Sequence, residues 1–169
     1  MRCPIALLAP ALLAWSAAAA AAAGAPVEAF KPLAFLAGHC WKGESPDGRR
    51  ADEHCFAWML DGRGLRDTHV VRAPGQDDAR GETVYYVNSA TKHIEYLYVE
   101  SGGGFTRGTV EPGADAIVFP DAPYVDEGET LTIRARWTPN GAGEYEAWAE
   151  AKTREGWSTL FRTKMKRTD

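Results

Sequence analysis

The residues of this chain best suited to chemistry are three histidines and one aspartate, His39, His54, His69 and Asp67. Neutral imidazole is the commonest metal ligand, so one interpretation of these histidines is a metal or haem site. A second interpretation is acid–base chemistry, in which Asp67 orients His69 from the same strand face. The third is an internal network of hydrogen bonds that shapes a pocket without reacting.

Their spacing matches no established catalytic or metal-binding motif. The chain contains no His-Glu-x-x-His and no Cys-x-x-Cys sequence, and no nucleophile–base pair can be identified. The sequence therefore favours the polar network and a protein that is not an enzyme. It predicts no catalytic residue, no bound metal and no cofactor, with the metal, haem and acid–base interpretations left open.

Two cysteines lie on either side of a predicted tight turn in "HCWKGESPDGRRADEHCF". Pro46 suits the first corner of a type I turn, and Asp47-Gly48 completes the reversal. A hairpin centred on that pair places Cys40 directly across from Cys55. Directly opposed residues have Cα atoms about 4.5–5.5 Å apart, within the range of a disulfide. We therefore predict a Cys40–Cys55 bond.

The same register places His54 across from Trp41 and predicts which side chains face inward. If the cysteines face outward, the inward residues are Trp41, His54, Phe56 and Trp58. A second hairpin at Asp61-Gly62 would place His54 across from His69, with His39 diagonal to His54. Three imidazoles would then share one face of three neighbouring strands.

The elements that position these residues are short strands separated by turns rich in Gly, Pro, Asp and Asn. The predicted strands are His39–Ser45, Ala51–Leu60, Leu65–Ala73, Glu82–Val87, His93–Glu100, Gly104–Val110, Ala116–Phe119, Thr130–Thr138, Glu144–Lys152 and Trp157–Lys166. Regular spacing of this kind predicts an all-β antiparallel meander, either a barrel or a sandwich. A short entry segment, Pro26–Leu36, precedes the strands.

Alternation within the strands predicts an interior that mixes aromatic with polar side chains. Tyr96 and Tyr98 share one face of their strand, and Trp137 shares a face with Leu131 and Ile133. Such an interior favours a cavity over a dry core. The residues predicted to line it are Trp41, His54, Phe56, Trp58, His69, Tyr96, Tyr98 and Trp137.

The first 23 residues have the features of a secretory signal peptide. Arg2 precedes an apolar stretch, and the alanines Ala17–Ala23 supply the small residues at a cleavage site. We expect cleavage after Ala23, a single domain over 24–169, and a periplasmic or secreted protein with no transmembrane segment after cleavage. Cys3 would leave with the leader, so Cys40 and Cys55 would remain in an oxidising compartment.

The net charge of the chain and its distribution argue against nucleic acid and anionic membranes as partners. Without Arg2 the chain has 18 basic against 23 acidic residues, a net charge near −5, and the charges are interspersed. No basic stripe is present to recruit nucleic acid or an anionic membrane surface.

The stretch "FLAGHCWKGE" resembles the first strand of lipocalin-like (calycin) barrels, where a Gly-x-Trp motif follows a short N-terminal helix. Here the spacing is Gly38-x-x-Trp41, one residue longer. Together with "DEHCFAW" and "VFPDAPY" it is similar to small exported bacterial proteins of unknown function, of the DUF6265 and DUF1579 type. This resemblance implies a lipocalin-like barrel of about ten strands with a short N-terminal helix, and it implies no established activity.

The first strand is also similar to nitrobindin-type haem barrels, which take their axial histidine from near the C-terminal end of the barrel. This chain has no histidine after His93, so that haem site is not expected here.

We therefore expect an exported barrel that binds a small apolar or amphipathic molecule. Two alternatives remain from the sequence. One is a metal- or haem-binding protein or an acid–base enzyme that uses His54 and His69. The other is an envelope protein with a filled barrel whose rim binds a partner.

Overall fold

A computed structural model describes residues 27–141 and 143–169, so the predicted signal peptide over 1–23 lies outside the described residues. The described chain forms ten antiparallel strands and one short 3₁₀ helix, Glu28–Leu33. The strands are β1 Cys40–Glu44, β2 Ala51–Met59, β3 Gly64–Arg72, β4 Ala79–Val87, β5 Ile94–Glu100, β6 Phe105–Pro112, β7 Ile117–Asp126, β8 Glu129–Pro139, β9 Glu144–Thr153 and β10 Gly156–Arg167. No helix in these two ranges is long and apolar enough to cross a bilayer.

The strands form a closed barrel in which each pairs with its neighbours in the sequence, as the turn spacing predicts. Closure comes from β1 and β10, where Trp41 lies opposite Arg167 and Lys42 opposite Lys166. Closure pairs the two strands that would otherwise be the edges of the sheet. The predicted fold class, a ten-stranded lipocalin-like meander with a short N-terminal helix, is confirmed.

The 3₁₀ helix covers one end of the barrel, which we call the closed end. Phe30, Leu33 and Leu36 are completely buried there. The Val27 N–H donates to the Gly62 carbonyl over 3.1 Å, which joins the start of the helix to the β2–β3 turn. The β1–β2, β3–β4, β5–β6, β7–β8 and β9–β10 turns surround the opposite, open end.

The registers predicted for the first three strands are confirmed. Cys40 lies opposite Cys55, and Trp41 lies opposite His54. The two cysteines form a disulfide with their Cα atoms 4.1 Å apart. His54 lies opposite His69 in the next pair. The β2–β3 connection is longer than the predicted two-residue turn, but it is centred on the same point and so keeps the register.

A bulge in β10 corrects the predicted alternation of that strand. The sequence places Trp157 and Thr159 on the same face as Phe161 and Met165. The register with β9 shifts between Thr159 and Phe161, so the face reverses at Leu160. Trp157 therefore lies outside, where its ring packs 4.0 Å from the Arg134 guanidinium.

Strand β7 is longer than predicted, because it continues beyond Phe119 through Pro120 and Pro123 to Asp126. A register shift between Phe119 and Ala122 accommodates this segment. Proline cannot donate to a β-ladder, which is why the sequence predicts an early end to the strand.

Candidate functional site

The barrel encloses a cavity of about 710 Å³ between its aromatic core and the open end. The volume lies within the range of small-molecule sites, roughly 300–1,000 Å³. The two sides of the cavity differ in polarity, although Arg134, Arg162 and Thr163 also line the β7–β10 side, and Val71 and Ala79 also line the β2–β5 side. The apolar wall comes mainly from β7 to β10 and includes Phe119, Leu131, Ile133, Ala135, Ala149 and Phe161. The polar wall comes from β2 to β5 and includes Asp52, His54, Asp67, His69, Tyr98 and Glu100.

Four aromatic rings form the floor of the cavity. They are Tyr85, Tyr96, Phe119 and Trp137. The Phe119 and Trp137 ring centroids are 4.7 Å apart, and those of Tyr96 and Phe119 are 5.5 Å apart. These distances match tilted and edge-on aromatic packing, which fixes the ring orientations. The floor therefore presents a rigid set of aromatic faces and edges to an occupant.

His54 is held between two carboxylates on the polar wall. Its Nδ1 lies 2.8 Å from Asp67 Oδ2, and its Nε2 lies 3.3 Å from Asp52 Oδ1. Burial by itself favours the neutral imidazole, but the charges and hydrogen bonds of Asp67 and Asp52 outweigh it and raise the pKa of His54 to about 10. His54 is therefore a cation at neutral pH, with Nδ1 hydrogen-bonded to Asp67 and Nε2 facing Asp52 as an ion pair.

His69 is in the opposite electrostatic situation. Its ring centroid lies 4.8 Å from that of His54. Burial and then the positive charge of His54 lower the pKa of His69. His69 is thus a neutral imidazole at neutral pH, and it stacks on Tyr98 with ring centroids 5.4 Å apart.

Gly81 makes that stack possible. It lies on β4 directly opposite His69, between the strands of His69 and Tyr98. A Cβ at Gly81 would lie 2.5 Å from the His69 ring and 2.7 Å from the Tyr98 ring. The absence of a side chain therefore lets the imidazole lie across β4 and reach the tyrosine.

Glu100 continues the polar wall toward the open end. Tyr98 Oη donates to Glu100 Oε2 over 3.0 Å, and Tyr124 Oη donates to Glu100 Oε1 over 2.8 Å. The His69 Nε2 lies 3.4 Å from the same Tyr98 hydroxyl. Gly104 leaves room for this arrangement, since a Cβ there would lie within 3 Å of both Tyr124 and Glu100.

Five of the predicted ligand-binding residues line the cavity: His54, His69, Tyr96, Tyr98 and Trp137. The other three, Trp41, Phe56 and Trp58, face inward but lie nearer the closed end. Trp41 is completely buried and packs on Tyr145 with centroids 5.2 Å apart. Trp58 contacts Phe30 of the helix in the same way, at 5.7 Å. The helix covers this end of the barrel, so these three side chains support the floor from below.

His39 does not join the other two imidazoles, in contrast to the predicted cluster of three. It precedes β1, and its Nδ1 lies 3.1 Å from Oδ1 of Asp169, which follows β10. Asp169, which the turn-based register of the first strands does not include, lies beside His39 because β10 closes the barrel against β1.

The carboxylate pairing also differs from the prediction. Asp67 contacts His54 on the neighbouring strand and not His69 on its own strand. The pattern Asp52-x-His54 places both side chains on one strand face and was a signal for the second carboxylate. Glu100 and Tyr124 come from β5 and β7, which are separated by β6, so no single hairpin register indicates their contact.

The cluster also brings metal-ligand types together. His54, Asp67 and His69 each offer one ligand atom, and these atoms lie within 4.8 Å of one another. A metal on His54 would have to displace the proton on Nδ1, which faces Asp67, or the proton on Nε2, which faces Asp52. The arrangement therefore favours the ion-paired imidazolium over metal coordination at neutral pH, and it leaves His69 as the neutral hydrogen-bonding group of the wall.

No protein-family model matches the chain. No curated protein matches it either. The fold and the cavity therefore carry the functional argument.

Proposed function

We propose that this protein binds a small amphipathic molecule inside the barrel. The observation that supports it is the cavity of about 710 Å³ with one apolar wall and one polar wall. An occupant with an apolar side and a hydrogen-bonding edge would satisfy both walls in a single orientation. Burial of its apolar surface contributes roughly 25 cal/mol per Å², and the polar wall supplies orientation.

The mouth of the cavity also supports this function. Leu131, Leu160 and Phe161 line it and remain 46%, 48% and 40% exposed. Apolar side chains held in water around an opening are typical of sites where an apolar surface enters. A filled barrel, the alternative raised by the sequence, would leave no such space.

The test uses N-phenyl-1-naphthylamine, a neutral fluorophore whose emission rises in apolar surroundings. We expect saturable binding to the purified protein. Ile133→Trp, which adds volume inside the cavity, should weaken that binding at least tenfold. Thr132→Trp is the matched control, because Thr132 is the adjacent residue on β8 and faces outward, and it should bind as the parent does. Absence of saturable binding, or equal binding by both variants, would reject an intracavity site.

We propose that the protein acts outside the cytoplasm, in the periplasm or after secretion. The Cys40–Cys55 disulfide supports this location, because disulfides persist in oxidising compartments. Expression of the full chain in a bacterium should give a periplasmic product lacking residues 1–23, detected by fractionation and mass spectrometry. A full-length cytoplasmic product would contradict the proposal. Membership in the DUF6265 or DUF1579 type remains a prediction from the sequence.

A further inference from the structure

We propose that the preferred occupant of the cavity is a cationic amphiphile, in which an organic ammonium group sits between the aromatic floor and the acidic wall. This inference rests on the proposed ligand-binding function and specifies the charge of the ligand. Three features carry it: the charge of the polar wall, the aromatic floor, and the pairing of the arginines at the mouth.

The polar wall has an excess of negative charge. Three carboxyl groups, Asp52, Asp67 and Glu100, line it together with one imidazolium, His54. His54 is clamped between two of these carboxylates, so its charge is already neutralised. Among the described residues, Asp67 Oδ1 has no hydrogen-bond partner, although only 1% of that residue is exposed. A cationic occupant would offset charge that the protein leaves uncompensated.

The aromatic floor suits the same occupant. The rings of Tyr85, Tyr96, Phe119 and Trp137 all line the cavity. Cations are attracted to the faces of Trp, Tyr and Phe, and quaternary ammonium groups are commonly held by several such rings. Burial raises the pKa of Tyr85 and of Tyr96, so both remain neutral phenols. They can therefore act as ring surfaces near the acidic wall without adding charge of their own.

Two of the three arginines at the cavity mouth are paired with carboxylates outside the polar wall. Arg134 contacts Glu150 at 2.7 Å, and Arg162 contacts Glu146 at 2.8 Å. Arg50 lies at the exposed β1–β2 turn, and its positive charge helps to lower the pKa of Asp52, so one cation remains against the three carboxyl groups besides the paired His54. An anionic head group reaching the polar wall would thus meet carboxylates and one neutralised imidazolium. A fatty acid is the wrong charge for this site, although its chain would fit the apolar wall.

The test compares three probes that share a twelve-carbon chain: dodecyltrimethylammonium, dodecanol and dodecanoate. Each is titrated into the protein by calorimetry, the two ionic probes below their micelle concentrations and dodecanol below its solubility limit. We expect the ammonium to bind at least tenfold more tightly than the alcohol, and the carboxylate to bind more weakly than the alcohol. Equal affinities, or tightest binding of dodecanoate, would overturn the charge preference while leaving the ligand-binding function intact. Failure of all three probes to bind would overturn both.

A pair of variants assigns the preference to the polar wall. Glu100→Gln keeps the shape of the side chain and removes its charge, so the ratio of ammonium to alcohol affinity should fall at least threefold. Glu95→Gln is the control, because Glu95 is on the same strand but faces outward, where Tyr86 donates to it. It should leave that ratio unchanged. Equal ratios for Glu100→Gln and the parent would show that the acidic wall does not select the cation.

Discussion

His54 Nδ1 donates a hydrogen bond to Asp67 Oδ2 over 2.8 Å inside the barrel, from one strand to the next. The side chain of Asp67 is 2% exposed and that of His54 is 15% exposed, so water provides little alternative solvation. The Asp52 carboxylate on the other side of the ring completes a buried ion-paired cluster. This cluster positions the polar wall of the cavity and makes the fold sensitive to pH.

Removal of the imidazole should destabilise the protein strongly. His54→Gln leaves Asp67 buried without its cation, and loss of one partner of a buried pair costs about 3–5 kcal/mol. His39→Gln is the control, because His39 contacts Asp169 at an exposed site and such pairs are worth about 0–1 kcal/mol. Urea denaturation of both variants measures the difference. Equal losses of unfolding free energy would contradict a special role for His54.

The stability of the fold should fall as the pH rises above neutral. The pKa of His54 is about 10 in the folded state, above its ordinary value of 6.5. Its contribution is therefore complete below pH 6.5 and is lost as the pH approaches 10, because the unfolded chain releases the proton first. Asp52 acts at the acidic end: its pKa is lowered by His54 despite burial, so its contribution is lost as the pH falls below about 3.8.

The titratable groups that face His54 are Asp52, Asp67 and His69. Near pH 6, His69 makes the stability rise with pH, which is opposite to the effect of His54. Its lowered pKa means that the fold favours the neutral ring, so its contribution is lost as the pH falls below 6.5. Urea midpoints at pH 6.5, 8 and 9.5 should decline for the parent and stay nearly constant for His54→Gln. A parent midpoint that rises over this range would refute the assignment. Tyr98 and Tyr124 have raised pKa values and should not ionise within it.

The disulfide should contribute on the order of 3 kcal/mol at most, since it closes a loop with a sequence separation of 15 residues. Cys40→Ser combined with Cys55→Ser should lower the urea midpoint by a corresponding amount while leaving the barrel folded. Thiol counts in denatured mature protein should be zero without reductant and two with it. Equal counts in the two conditions would disprove the bond.

Gly81→Ala should disturb the packing of His69 against Tyr98 in the polar wall. The added methyl would overlap the His69 and Tyr98 rings, and such overpacking costs about 1–3 kcal/mol. Gly143→Ala is the control, because a Cβ there meets no atom within 4 Å. Chemical denaturation together with the NMR shifts of the His69 ring protons provides the measurement. An unchanged His69 environment in Gly81→Ala would show that the close approach is unimportant.

Local sequence patterns predict most of the scaffold because antiparallel hairpins are local structures. The turn at Asp47-Gly48 determines the pairing of Cys40 with Cys55, and the alternation of β5 determines that Tyr96 and Tyr98 face inward. Bulges are harder to predict from sequence. The extra residue at Leu160 reverses which face of the sheet the side chains of β10 occupy, although the composition of the strand does not mark the change. The spacing of His54 and His69 around the β2–β3 turn likewise indicates that they lie opposite each other. It does not indicate that His54 is charged and His69 is neutral.

The all-β meander, the disulfide and an interior of mixed aromatic and polar residues can be predicted from the amino-acid sequence, because each depends on turns and on the two-residue period of a strand. The three-dimensional fold sets which inward residues form the floor and which line a cavity, because that depends on where the helix covers the barrel. It also decided that Asp67 binds His54, that Glu100 meets Tyr124, and that acidic and apolar residues occupy opposite walls. The Asp67–His54 contact is diagonal across one hairpin, and the Glu100–Tyr124 contact spans β6. Both depend on side-chain orientation inside the curved barrel, which residue alternation does not specify.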